Sequence, residues 1–100
     1  MIVLRFKITC KPDKADEMAA AMAAVPGPSR EIDGVLAFDI GRDMNDPNTF
    51  IATEVFEDDA ARERQEAQQE VANVMGLLED ALAAPPEATI YEVSASRSAM

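Results

Sequence analysis

The sequence contains no histidine, no tryptophan and a single cysteine, Cys10. Without imidazole there is no His-ligated zinc or haem iron, and no Ser-His-Asp or Cys-His relay. One thiol permits no intrachain disulfide and no cysteine cluster for zinc or iron–sulfur. Aromatic side chains are 5% of the chain, and the only lysines are Lys7, Lys11 and Lys14. No apolar run approaches the roughly eighteen residues of a membrane-spanning helix. The opening run, Ile2 to Ile8, is broken by Arg5 and Lys7. No secretory leader is read at Met1, and a reduced, cytoplasmic setting is the expectation.

Positive charge is also scarce. Nine basic residues face nineteen acidic ones, for a net charge of −10. A nucleic-acid partner needs a basic face, and so does an anionic membrane, so both are excluded as expectations. Residues 1–50 carry 6 basic and 8 acidic side chains, and residues 51–100 carry 3 and 11. The acid of the second half is expected on solvated helix surfaces. A sharper alternative is adaptation to high salt, which would show as stability lost when salt is removed.

Hydrophobic residues make up 48% of the 100, which fits one globular domain over residues 1–100. Residues 2–10 alternate. Ile2, Leu4, Phe6, Ile8 and Cys10 share one side; Val3, Arg5, Lys7 and Thr9 share the other, as in a strand. Asp13 is a candidate N-cap, and Ala15, Met18, Met22 and Val25 then recur at helical spacing until Pro26-Gly27-Pro28. Residues 29–34 read as a connector ending in Asp33-Gly34. A second strand is predicted over 35–42 and a third over 49–57, joined by the turn formers Asp43 to Asn48. Asp58 or Asp59 caps the next helix. This helix is polar to Gln69, then carries Val71, Val74, Met75, Leu78 and Leu82 on one side, with a joint near Gln69 or Gly76. Pro85-Pro86 stops it, residues 88–94 form the last strand, and the tail from about residue 95 is expected to fray.

The order is β-α-β-β-α-β. It predicts an α+β, ferredoxin-like domain with a four-stranded antiparallel sheet and both helical segments on one face. The other face has no helix to cover it. Alternation assigns to that open face Val3, Arg5, Lys7 and Thr9, together with Phe50, Ala52, Glu54 and Phe56, and Val35, Ala37 and Asp39. A face this apolar favours a homodimer, sheet against sheet. A mixed polar and apolar space between the sheets would suit a small molecule.

Several segments resemble the antibiotic biosynthesis monooxygenase family: Lys11-Pro12-Asp13-Lys14 after the first strand, Asp33-Gly34-Val35-Leu36, Arg42-Asp43 followed by Asp46-Pro47-Asn48-Thr49-Phe50, Glu54-Val55-Phe56-Glu57-Asp58, and Ala83-Ala84-Pro85-Pro86 before Tyr91-Glu92-Val93. The resemblance implies a dimeric α/β barrel. It also implies oxidation of a small aromatic phenol, anthrone or quinol by molecular oxygen, with no cofactor, flavin or metal. The chain departs from the family at Phe56, where a Trp is common, and at Gln65 and near Glu70, where His is common. The haem-degrading branch uses an Asn where Arg5 aligns, and an axial His that this chain lacks.

The candidate catalytic residues are therefore Arg5, as oxyanion stabiliser, and Glu54, as proton acceptor. Candidate substrate contacts are Lys7, Asp39, Phe50, Phe56, Gln65 and Tyr91. Each has a plain structural reading beside it. Arg5 and Lys7 could pair with Glu54 or Asp39, the two Phe could simply pack, Tyr91 could sit at a rim, and Gln65 could be a surface helix residue. Asp46-Pro47-Asn48 reads as turn chemistry, and Glu57-Asp58-Asp59 as cap and dipole partners rather than a metal site. The expected function is a cofactor-independent monooxygenase. The alternative is a non-catalytic binding or structural dimer of the same fold that has lost the His and Trp.

Overall fold

The computed structural model describes residues 1–100. The elements are β1 (Ile2–Thr9), α1 (Ala15–Ala23), α2 (Pro26–Arg30), β2 (Val35–Asp43), β3 (Asp46–Phe56), α3 (Asp59–Glu66), α4 (Gln69–Ala81) and β4 (Glu87–Glu92). The strands form one antiparallel sheet in the order β2-β3-β1-β4. This is the ferredoxin-like α+β arrangement. Ile2, Ile8, Phe38, Phe50 and Phe56 of the sheet meet Met18, Met22, Ala61, Val74 and Leu78 of the helices, and Val25 between α1 and α2, in one core.

Local chemistry explains most element boundaries. Asp58 caps α3, its carboxylate accepting from Ala61 N at 2.9 Å, which satisfies one of the orphan amides of the first turn. α1 begins at Ala15 with no side-chain cap, so Asp13 does not have the capping role expected of it. The Lys11–Lys14 turn closes instead through Lys14 N donating to Lys11 O at 2.9 Å. Pro26 follows α1 and opens a short second helix, α2, made of the Pro26-Gly27-Pro28 read as a helix stop and the first two residues of the connector, Ser29 and Arg30. Proline suits that position because a first-turn amide has no helical partner anyway. The joint between α3 and α4 falls at Ala67-Gln68, and Gly76 lies inside α4.

The hairpin is tighter than its turn formers suggest. β2 runs to Asp43, β3 starts at Asp46, and only Met44 and Asn45 lie between. Asp46-Pro47-Asn48 is thus the start of a strand. The Asp46 carboxylate accepts from Thr49 Oγ1 at 2.8 Å and from Asn48 N at 3.0 Å. These bonds, Thr49's first, hold its carboxyl below the usual carboxylate range.

The register assigns the faces. Ile2 lies opposite Phe56, Leu4 opposite Glu54, Phe6 opposite Ala52 and Ile8 opposite Phe50. Directly paired residues point the same way. Phe50, Ala52, Glu54 and Phe56 therefore lie under the helices, not on the open face with Arg5 and Lys7. Arg5 pairs with Thr53 and Lys7 with Ile51. On β2 an irregularity between Val35 and Ala37 resets the alternation, so Phe38 and Ile40 face the helices while Asp39, opposite Thr53, faces away.

Gly34 joins this sheet to α3. It has φ 88°, the one positive φ in the chain. Its carbonyl accepts from Glu57 N at 2.8 Å, and a Cβ there would stand 2.6 Å from Ala61 Cβ. Left-handed backbone costs a side-chain-bearing residue about 1–2 kcal/mol, and overpacking commonly adds about 1–3 kcal/mol. Gly34→Ala should therefore lose about 2–5 kcal/mol in urea unfolding. A loss below about 1 kcal/mol would mean that the α3 start yields freely.

Candidate functional site

The helices do not fill the space above the sheet. Leu4 and Phe6 point toward them but remain half-buried, because a cavity of about 450 Å³ lies over them. Its floor is the inward face of the strands: Phe38 and Ile40 of β2, Ala52 and Glu54 of β3, Ala88 and Ile90 of β4. Phe6 has Ala52 opposite on one side and Ala88 on the other. Two small residues flanking one ring leave the room. The roof is Met22 of α1, Val25, and Val71, Val74 and Met75 of α4. α4 leans on α1 rather than settling on β4. Met75, 55% exposed, and Ile90, 45% exposed, form the rim. Met75, expected in the core, is thus a mouth residue.

The polar end of the cavity is built by β3 and α3. Glu54, Arg62, Gln65 and Glu66 meet there. Glu54 is 7% exposed, with Leu4 and Phe38 opposite it on the two neighbouring strands. Its carboxylate accepts no hydrogen bond and forms no salt bridge within the protein. Burial among these apolar neighbours, then repulsion from Glu66, raises its pKa to about 7, against a smaller opposing pull from Arg62. These are the only charged groups bordering the cavity with Glu54; the residues from β1, β2, β4, α1 and α4 are apolar.

Arg62 does not pair with Glu54. Its Nη1 donates to Glu66 Oε1 at 3.0 Å, and its Nε and Nη2 donate to Asp59 Oδ1 at 3.3 Å. Gln65 is 2% exposed. Its Nε2 donates to Ser29 Oγ at 3.0 Å, and Ser29 Oγ donates to Gln68 Oε1 at 3.1 Å. This chain ties α3 to α2 and fixes the Gln65 amide.

Of the residues singled out from sequence, Glu54 and Gln65 border the cavity. The others do not. Arg5 is exposed on the open face, and Lys7 lies beside it, each separated from Glu54 by the sheet. No ion pair joins either to Glu54. Asp39 is exposed and pairs with Arg30 Nη2 at 3.1 Å. Phe56 and Phe50 are sealed in the core, and the Arg42 guanidinium lies 4.8 Å from the Phe50 ring centroid. Tyr91, 52% exposed, pairs with Val3 on the open face. Cys10 is a buried core thiol whose pKa burial pushes up. Arg62 and Glu66 went unread in the sequence, although Asp59, Arg62 and Glu66 stand at the three- and four-residue spacing of a helical ion-pair row.

The family model for antibiotic biosynthesis monooxygenases matches residues 1–74, and the chain belongs to that family. The fold is shared with a proposed antibiotic biosynthesis monooxygenase from Nitrosomonas europaea, at TM-score 0.86 and 21% identity over 95% of this chain and 100% of that one. A Pseudomonas aeruginosa protein is similar at TM-score 0.84 and 26% identity, over 94% of each chain. A Mycobacterium tuberculosis protein is similar at TM-score 0.86 and 16% identity, over 97% of this chain and 98% of that one. No curated protein matches closely enough to extend the comparison. No helix is long and apolar enough to cross a membrane.

The burial of Glu54 sets a pH dependence for stability. Its folded pKa lies above the unfolded value of 4.5, so the native state holds the extra proton between these two values. Stability falls as pH rises through that interval and levels off above pH 7. Glu54→Gln should therefore be near neutral at pH 4.5 and stabilising by about 3 kcal/mol above pH 7. Paired urea titrations at pH 4.5 and 8 would measure this. A difference that did not grow with pH would show that the carboxylate is solvated in the folded state.

Proposed function

We propose that the cavity between sheet and helices is the active site of a cofactor-independent monooxygenase acting on a small aromatic phenol or quinol. The observation that carries the reading is Glu54: a carboxylate with no protein partner, at the polar end of an apolar cavity, with a pKa of about 7. Such a group exchanges protons near neutral pH, where an ordinary surface glutamate is too weak a base to deprotonate a phenol effectively.

The chemistry follows from the substrate's own electrons. Glu54 takes the ring hydroxyl proton. The resulting phenolate passes one electron to molecular oxygen, and radical and superoxide combine into a peroxide at a ring carbon that bears hydrogen. Glu54 returns its proton to the peroxide anion. Removal of the carbon-bound proton then breaks the O–O bond, leaving a carbonyl, and the departing hydroxide takes up that proton as water. One oxygen atom ends in the product and one in water. Leu4, Phe6, Phe38 and Ile40 would hold the ring and exclude solvent.

Oxygen uptake with a panel of hydroquinones and anthrones, with no flavin or metal added, tests the reading. The expected result is uptake above autoxidation, with kcat/KM rising with pH through about 7 as Glu54 ionises. Glu54→Gln should lower it by about 10²-fold or more. Binding of the ring without uptake would favour the non-catalytic alternative, which the absence of His and Trp supports.

We further propose that a second copy of the chain covers the open sheet face. Val3, Ile51, Val55 and Tyr91 place apolar surface there with no helix above it, and isologous pairing of like faces is the common solution. Sedimentation should give a dimer, and Ile51→Glu a folded monomer; a wild-type monomer at micromolar concentration would overturn the pairing.

A further inference from the structure

The hydrogen bonds at the polar end of the cavity are unequally supplied. Glu54 offers two carboxylate oxygens, and no protein group donates to either. Gln65 offers a third acceptor. Its Nε2 turns one of its two N–H donors to Ser29 Oγ, and Ser29 Oγ is in turn committed as donor to Gln68. That direction of donation leaves Gln65 Oε1 without a protein donor. The atom is not sealed away, since no buried side-chain polar atom lacks a partner; the open space that Gln65 borders is the cavity. The one cation nearby, Arg62, has its donors turned to Asp59 and Glu66. The cavity therefore presents acceptors on two elements, β3 and α3, and little that would welcome an anion.

We propose that Gln65 is a specificity-determining residue, oriented by Ser29, that selects a neutral ligand donating two hydrogen bonds, one to Glu54 and one to Gln65 Oε1. This rests on the reading of the cavity as the site and narrows its substrate class to neutral aromatics with two hydroxyl groups. A ring with one hydroxyl leaves Gln65 Oε1 desolvated and unpaired. A ring bearing ethers in place of hydroxyls leaves both acceptors unpaired. A carboxylate on the ring meets Glu54 and Glu66. Ser29 is a positioning residue: without its hydroxyl the Gln65 amide can turn over and present its N–H groups instead.

Binding under anaerobic conditions tests this apart from any oxygen chemistry. The probes are the isomeric dihydroxynaphthalenes, naphthol, dimethoxynaphthalene and a hydroxynaphthoate, titrated against the full-length protein by calorimetry. The best dihydroxy isomer should bind about three- to tenfold tighter than naphthol, the value of one net hydrogen bond. Dimethoxynaphthalene and the hydroxynaphthoate should bind more weakly than naphthol. The ratio of dihydroxy to monohydroxy affinity should fall toward one in Gln65→Leu. It should fall likewise in Ser29→Ala, which leaves Gln65 in place and guards against a folding defect in the first variant. A merely structural Ser29 would change stability but not this ratio. Equal binding of diol and naphthol by wild type, a ratio that survives both substitutions, or tighter binding of the dimethoxy or carboxylate probe would overturn the proposal while leaving the cavity as the ring site. Failure of every ring to bind would overturn the cavity reading, and this proposal with it.

Discussion

The pairing of β1 with β3, from Ile2 opposite Phe56 to Thr9 opposite Thr49, decides which way each side chain of β3 points. β3 is a central strand, hydrogen-bonded on both sides, and its partner's apolar face is unambiguous. Ile2, Leu4, Phe6 and Ile8 must go under the helices, because the alternative would bury Arg5 and Lys7. Once β1 is placed, a register that sets Leu4 across from Glu54 carries that carboxylate inside. A slip of one residue would put Thr53 and Val55 beneath the helices and leave Glu54 outside, while moving Phe50 and Phe56 from core to surface. The slip would bury Ile51 and Val55 in their place, smaller side chains that leave part of the phenylalanines' core volume unfilled. The observed register keeps that volume filled and carries with it the about 3 kcal/mol that the ionised Glu54 costs. The acid is thus held in an unfavourable place by its neighbours along the strand rather than by any partner of its own.

That balance separates what the sequence makes legible from what it does not. The order of the strands and the Asp33-Gly34 turn are read correctly, since they rest on backbone chemistry that acts locally; α2 is not, and α4 ends at Ala81, ahead of the Pro85-Pro86 stop. The cap at Asp58 is legible in the same way. The facing of β3 is not. Its two alternating sets, Phe50-Ala52-Phe56 and Ile51-Thr53-Val55, are both apolar enough to be the core side, and the acidic Glu54 in the first set argues locally for the outside. Only the pairing with β1 resolves it. On β2 the facing of Phe38, Ile40 and Asp39 is legible, and the irregularity that follows Val35 is what turns that residue, read for the open face, toward the core. Arg5 and Glu54 are consequently joined by pattern and separated by structure. The cavity is hidden for a related reason. Ala52 and Ala88 read as unremarkable small strand residues, and their meaning appears only when the register sets both beside Phe6.

The partnership of Arg62 settles the character of Glu54. A buried carboxylate beside a guanidinium ordinarily becomes one half of an ion pair, with its pKa lowered and its oxygens occupied. Here the cation has closer claims on its own helix. Asp59 lies one turn before it and Glu66 one turn after, the spacing at which helical side chains meet without rearranging the backbone. Their salt bridges leave the guanidinium only a weak attraction for Glu54, smaller than the repulsion from Glu66. The acidic excess of the second half of the chain therefore has a local consequence beyond solubility. Two surface carboxylates divert the one available positive charge, and the third carboxylate, on the strand below, is left facing an apolar cavity as a base without a counterion. Gln65 extends the same pattern by turning one of its two N–H donors to Ser29. The acceptors left facing the cavity, Glu54 and Gln65 Oε1, are thus set by bonds that an occupant never touches.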